Sequence, residues 1–364
     1  MSSLPAGHHC SDRHLAAYSD VPAPPIRYLA LSISLLLGGI VPSPGHASPD
    51  SLYHEARSAM GTTVEIYLYA SARARAAELF EVTFQEIERV EEALSGYRPT
   101  SEISRINATA AREPVVTDPE VFGLLERALD YSRHTGGAFD ITVGALVRAW
   151  GFFRNDGHYP TPEELARARA KVGWRQVALD RATRTIRFLT PGIELDLGGI
   201  GKGFALDRAA RILQRSGVTA ALLGAGQSSY YAIGAPPDTE GWRIVVPDPH
   251  DPAQALSTVW LRDRSLSTSG NAQKFFELDG TRYSHIIDPR TAEPSTGMLQ
   301  VTVTARTAAE SDALSTALFV VGPERAAQVV EPCDDVAALL VTEHEKHELV
   351  VAIEWAEPLV SWRR

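Results

Sequence analysis

The chain has 364 residues, 44% of them hydrophobic, with 35 basic and 45 acidic side chains and a formal net charge of −10. That length supports one large domain or two ordinary ones around a sizeable core. The acidic balance argues against nucleic acid as a partner and against electrostatic docking on anionic lipid, while leaving room for a local basic pocket that holds a phosphate.

Residues 1–47 do not read as fold. Arg27 precedes an apolar run from Tyr28 to Val41, and the small residues Gly45 and Ala47 follow at the spacing a signal peptidase reads. This is a signal-peptide pattern behind a polar N-terminal extension, and the run is short for a membrane span. A short membrane anchor is the alternative. Residues 48–364 are then the folded domain. Removal of the leader takes away Cys10, with its neighbours His8 and His9, and leaves Cys333 without an internal disulfide partner.

Along the domain, Glu55–Met60 and Thr62–Tyr69 read as a strand pair broken at Gly61. Residues 71–94 carry apolar side chains at helical spacing. The stretch SGYRPTSEISRIN that follows reads as a loop. Glu120–Thr135 reads as a helix stopped at Gly136-Gly137, and Thr161–Val172 as a helix opened by Thr161-Pro162. Strands are expected at 176–180, 185–189 and 193–197, then a glycine-rich turn and a helix over 204–216. Seven more strands follow, at 220–223, 230–233, 242–246, 257–261, 265–269, 274–278 and 301–305. Helices over 309–321 and 323–330, and strands at 336–341 and 349–354, complete the chain. Strands adjoin strands more often than they alternate with helices. The pattern predicts α+β architecture with antiparallel or mixed sheets and packed helices, rather than a doubly wound sheet.

Three segments can carry chemistry. In ELDLGGIGKGFALD (Glu194–Asp207), an apolar segment ends in clustered glycines before a helix, with Lys202 inside the turn and Asp196 and Asp207 beside it. Glycines let backbone N–H groups approach an anion, and a helix N-terminus adds positive potential. Gly203 stands where a Walker A loop needs Ser or Thr, so this is no ATP-type P-loop. A tight structural turn is the plain alternative. In SDALSTALFVVG, Asp312 and Thr316 are four apart on one helix face, an oxygen pair suited to a hard cation; a helix-start carboxylate with a back-bonded Thr is the alternative. With no His/Cys cluster after residue 47, a bound metal is expected to be Mg²⁺ before Zn²⁺. In YSHIIDPRTAEP, His285 is a candidate general base and Asp288 a candidate orienter or phosphate-side acid, unless the stretch is only a polar hairpin. Tyr97, and Asp140 with its aromatic neighbours Phe139, Trp150, Phe152 and Phe153, suit a flat ring system or simply a core.

Taken in order, Met60-Gly61-Thr62, LSGYRPTSEISRIN, TGGAFDITVGALVRAWGF, ELDLGGIGKGFALD, STSGNAQKFFELDGTRYSHIIDPRTAEP and ESDALSTALFVVG resemble the ApbE family of FAD:protein FMN transferases over nearly all of residues 48–364. The resemblance implies a periplasmic α+β enzyme of T-fold-like type. Such an enzyme uses Mg²⁺, takes FAD as substrate, and moves FMN onto a Thr or Ser hydroxyl of an acceptor flavoprotein subunit, releasing AMP. It implies metal ligands at Asp312, Thr316 and a backbone carbonyl at Gly199 or, less favoured, Gly201. It places the essential histidine at His285. FAD contacts fall at Met60, Tyr97, Ala138, Phe139, Asp140, Asp196, Lys202 and Ile286. Gln227, Ser228 and Ser229 depart from the acidic or amide turn usual in the family. An FAD pyrophosphatase and a flavin carrier without turnover are the competing readings.

Overall fold

The computed structural model describes residues 50–154, 156–271, 274–344 and 347–357. The leader expected at residues 1–47 lies outside the described residues.

An eight-stranded sheet forms the frame. Its strands are Ser51–Ala59, Thr62–Ala70, Ala221–Ala225, Ser229–Ile233, Ser265–Gly270, Met298–Ala305, Ala337–His344 and His347–Ile353. They lie side by side in chain order, every neighbour antiparallel. The helices are α1 (Arg73–Leu94), α2 (Glu102–Thr109), α3 (Pro119–His134), α4 (Gly144–Ala149), α5 (Pro162–Arg169), α6 (Gly201–Arg215), α7 (Ala308–Val321) and α8 (Pro323–Val330). The α+β architecture with antiparallel sheets is the one the strand-next-to-strand order predicts.

Period-two alternation decides which face of the sheet meets which cover. Val64, Ile66, Leu68, Leu223 and Ala225 pack with α1 and α6, while Val301, Val303, Ala338 and Leu340 pack with α7 and α8. The opposite face presents Leu222, Leu266, Leu339 and Val341 to a separate hairpin, Trp242–Pro247 with Ala255–Leu261. A further core gathers α2, α3 and a three-stranded sheet (Val115–Val116, Val177–Asp180, Thr185–Phe188) against one side of α7. Helix α7 is therefore buried nearly all round.

Three local expectations change. The loop after α1 holds helix α2, opened by Ser101, whose hydroxyl accepts from Ser104 N. The segment 193–197 alternates buried and half-buried residues like a strand, but it makes only an isolated bridge, Val143 with Glu194. Its central hydrogen bonds go to a side chain: the Asn107 amide donates to Leu195 O at 3.0 Å and accepts from Leu195 N at 2.8 Å. The next helix begins at Gly201 rather than 204, so Lys202 sits in its first turn.

Candidate active site

The site gathers where the N-terminal turn of α6 meets the middle of α7. Gly203 permits the approach, because a Cβ there would overlap the Ala308 carbonyl. Asp207, one turn along α6, accepts from Ala308 N (2.7 Å) and Ala309 N (3.0 Å) and so caps α7 from another helix. Burial pushes its carboxyl up to about 6, against the pull of those two N–H groups and of Arg127 and Arg211.

Asp312 is buried, and a buried carboxylate needs partners. One oxygen accepts from Gly203 N at 3.0 Å, and the other stands 3.6 Å from the Lys202 ammonium. Thr316, one turn later, donates to Asp312 O at 3.2 Å, the back-bonded form weighed from the sequence. Its hydroxyl also lies 3.4 Å from Ser269 Oγ and faces the glycine turn: a Cβ on Gly199 would sit 3.2 Å from Thr316 Oγ1. A seam of hydroxyls between sheet and helix sets the rotation of α7, with Ser267 on Ser311 at 2.8 Å and Ser269 on Ser315 at 2.9 Å. Gly199 therefore lies against Thr316, with Asp312 one turn back along α7 and its two carboxylate oxygens turned to Gly203 N and Lys202. Among the described residues no group of three or more His, Cys, Asp and Glu could hold a metal. The donor set fits a hard cation completed by carbonyl, substrate or water oxygens, and it does not fit zinc.

His285 closes the base of a hairpin, Phe275–Leu278 with Thr281–Ser284. Its Nδ1 lies 2.9 Å from Lys274 O, and its own N–H donates to the same carbonyl at 3.1 Å. A carbonyl can only accept, so Nδ1 carries the proton and Nε2 keeps its lone pair. Burial, helped by the charges of Lys274 and Lys202, pulls the imidazole down to about 4 although the Lys274 carbonyl favours the charged form. Asp288 does not orient the ring. Both its oxygens are held by Arg290, at 2.9 and 2.8 Å, in a turn that also binds Arg290 N. The Lys274 carbonyl does the orienting, and nothing in the sequence marks a backbone oxygen for that task.

The expected flavin contacts divide in two. Tyr97 is 61% exposed and stacks on Phe153 at 4.4 Å, with the Arg148 guanidinium 3.5 Å over the same ring. Arg148 is in turn paired with Glu194. Asp196 is half-buried at the mouth of the turn, accepts from Gly198 N at 2.7 Å, and has its carboxyl pushed up by burial. Met60 takes a left-handed φ of 55° beside Gly61 at 69°, a two-residue turn in which both φ are positive. A left-handed Met costs about 1–2 kcal/mol that Asn or Gly would largely avoid. Its methyl reaches to 3.7 Å from where a Cβ on Gly201 would lie.

The other group is core. Ala138, Phe139 and Ile286 are buried in apolar clusters. Asp140 accepts from Thr142 N, Thr142 Oγ1 and Trp174 N at 2.7–2.8 Å, so its carboxylate is spoken for. Burial raises its pKa, with those bonds opposing. What these four residues offer a ligand is backbone and shape.

A glycine-opened helix start, a lysine facing a buried aspartate, and a histidine held by a backbone carbonyl suit an α+β enzyme that handles a phosphate. The chain belongs to the ApbE family, whose profile matches residues 60–340. Relatives include the FAD:protein FMN transferases of Treponema pallidum, 34% identical over 79% of this chain and 84% of that protein, and of Salmonella typhimurium, 33% identical over 84% and 89%. Among solved structures, the ApbE protein of Thermotoga maritima superposes with a TM-score of 0.76 at 31% identity, covering 84% of this chain and 97% of that one. The flavin transferase ApbE of Vibrio cholerae gives 0.75 at 29%, covering 84% and 98%.

Proposed function

We propose that this FAD:protein FMN transferase moves the FMN half of FAD onto a Thr or Ser hydroxyl of an acceptor protein, with AMP leaving. The observation that carries the proposal is the convergence of the Lys202 ammonium and the Gly203 N–H on the buried Asp312 carboxylate, one helical turn before Thr316. Phosphoryl transfer asks mainly for alignment and charge neutralisation. The glycine turn and Lys202 bind the pyrophosphate. Asp312, Thr316 and a Gly199 carbonyl would hold Mg²⁺, which when bound neutralises charge on the pyrophosphate. His285 accepts the acceptor hydroxyl's proton at Nε2 as its oxygen bonds to the FMN-side phosphorus and the bond from that phosphorus to the AMP oxygen breaks. Tyr97 and Met60 flank the flavin or the adenine.

Export to the periplasm by the leader at residues 1–47 belongs to the same proposal. Among the described residues no helix is long and apolar enough to cross a membrane. Incubation with FAD, Mg²⁺ and an acceptor flavoprotein domain tests the reaction. AMP release with covalent flavin on the acceptor is the expected result. AMP with free FMN and no labelled protein makes the chain an FAD pyrophosphatase, and intact bound FAD makes it a carrier.

A further inference from the structure

Met60 occupies a turn position whose φ of 55° suits Asn or Gly, and its backbone N–H, at the outer end of a hairpin, would ordinarily face water. Here it does not. Glu91, thirty-one residues on and in the last turns of α1, accepts that N–H at 2.8 Å through Oε2. Its other oxygen stands 3.6 Å from the Arg98 guanidinium, on the residue next to Tyr97. The loop between them is stiffened locally. The Ser95 hydroxyl accepts from both Tyr97 N and Arg98 N at 3.2 Å, and Ser101 Oγ donates to Ser95 O at 2.5 Å. A groove lined by Ser58, Thr62, Thr63, Glu91 and Arg98 runs between the two loops.

One carboxylate therefore touches both the turn that carries Met60 and the loop that carries Tyr97. We infer that Glu91 is a positioning residue for FAD: it holds the left-handed Met60 turn against the glycine helix start and fixes its distance from Tyr97, so that the flat end of the substrate enters a slot of set width. This rests on the transferase reading for the identity of the ligand. The bracket itself rests only on the contacts of Glu91. Glu91 lies in the last turn of α1, where the negative end of the helix dipole disfavours an acid, and no basic residue of that turn offsets it. That leaves the Met60 N–H and Arg98 as its favourable partners.

Three proteins test it, each as the full chain without its leader: wild type, Glu91→Ala and Glu91→Gln. Gln can still accept the Met60 N–H, whereas Ala cannot. Charge-assisted bonds of this kind justify expecting a rise of about tenfold or more in the FAD dissociation constant for Glu91→Ala, read by flavin fluorescence, with kcat at saturating FAD within about twofold of wild type. Glu91→Gln keeps the Met60 bond and loses the Arg98 pair, so its affinity should fall between those of Glu91→Ala and wild type at an unchanged melting temperature. Amide hydrogen exchange at Met60, followed without flavin, quickens in the Ala variant and stays slow in the Gln variant. Wild-type FAD affinity in Glu91→Ala, equal losses in both variants that track their melting temperatures, or unchanged exchange at Met60 each overturn the inference. Should wild type itself neither bind FAD nor transfer FMN, the transferase reading fails, and the exchange experiment still decides whether Glu91 holds the turn.

Discussion

The Lys202 ammonium stands 3.6 Å from Asp312 Oδ1, across the crossing of two helices that meet only because residue 203 is glycine. The same carboxylate takes the Gly203 N–H. The start of α6 and the carboxylate of α7 are therefore held as one unit. Asp312→Asn should keep the fold and abolish transfer, because an amide is a poor ligand for a hard cation and a poor partner for lysine. Asp312→Ala should lose transfer and also about 1–3 kcal/mol of stability, since the buried Gly203 N–H and Lys202 lose their acceptor. Melting curves and product assays on both variants read the two effects separately. Normal turnover of Asp312→Asn at limiting Mg²⁺ would remove the cation assignment.

Gly203→Ala tests the crossing itself. Its new Cβ meets backbone, the Ala308 carbonyl, which cannot swing aside as a side-chain tip can. The helices must separate, at a cost of about 1–3 kcal/mol. Transfer should fall in parallel, because Asp312 rides on the displaced helix. A variant with native melting temperature and native rate would show that the crossing tolerates a methyl group.

Tyr97→Ala should weaken FAD binding with little loss of stability or of turnover at saturating FAD. The ring is mostly exposed and its main contact is the stack on Phe153, so truncation leaves no cavity. An unchanged FAD dissociation constant takes Tyr97 out of the flavin site.

Asp207 gives stability a pH dependence with a definite sign. Its folded pKa of about 6 lies above the ordinary value of 3.8. Between about pH 4 and 6 the unfolded chain has released this proton and the folded chain retains it, so stability falls as pH rises through that window and levels off above it. The full shift corresponds to about 3 kcal/mol at most. Arg127, Arg211 and Glu310 face the group, and Glu310, also raised by burial and by Asp207, contributes with the same sign. Asp207→Asn should flatten the slope of melting temperature against pH over 4–6. An equally steep slope in the variant would assign the effect elsewhere.

Much of this site was legible in the sequence wherever its logic is local. Asp312 and Thr316 are one helical turn apart, Lys202 sits among the glycines, and Thr161-Pro162 announces a helix that opens with a capping box. What escaped is long-range. Asn107 stands in for a neighbouring strand to Leu195, Asp207 caps a helix a hundred residues on, and a backbone oxygen of Lys274 fixes the tautomer of His285. Residues 193–197 alternate as a strand does because they are buried as one; pairing, which periodicity does not encode, is where the expectation failed. Asp140 among its aromatic neighbours suits a ring system or a core, and its long-range partner Trp174, with Thr142 beside it, satisfies the carboxylate inside the protein.

His285→Ala should separate binding from chemistry, and the structure moves the pH at which this is seen. An ordinary histidine would give the rate a limb near pH 6–7. Burial beside Lys274 and Lys202 instead pulls His285 down to about 4, so the ring is neutral across the working range and the acid limb belongs near pH 4. A base this weak takes a proton less readily, but its Nε2 is always available, because the Lys274 carbonyl holds the proton on Nδ1. Removing the ring should cost about 10²–10⁴-fold in transfer rate with FAD affinity near normal, since a neutral imidazole adds little to the grip on a pyrophosphate held by Lys202. The bland alternative is that His285 only closes the hairpin base, through its ring and its backbone N–H on one carbonyl. Alanine keeps the backbone bond and loses the ring, so a purely structural role predicts a small rate loss that follows melting temperature. FAD affinity, melting temperature and the pH–rate profile between pH 3.5 and 8, measured on one preparation, distinguish the two. A variant that transfers FMN at the wild-type rate with the same profile hands the proton to a base on the acceptor or to Asp288, whose carboxylate is paired with Arg290.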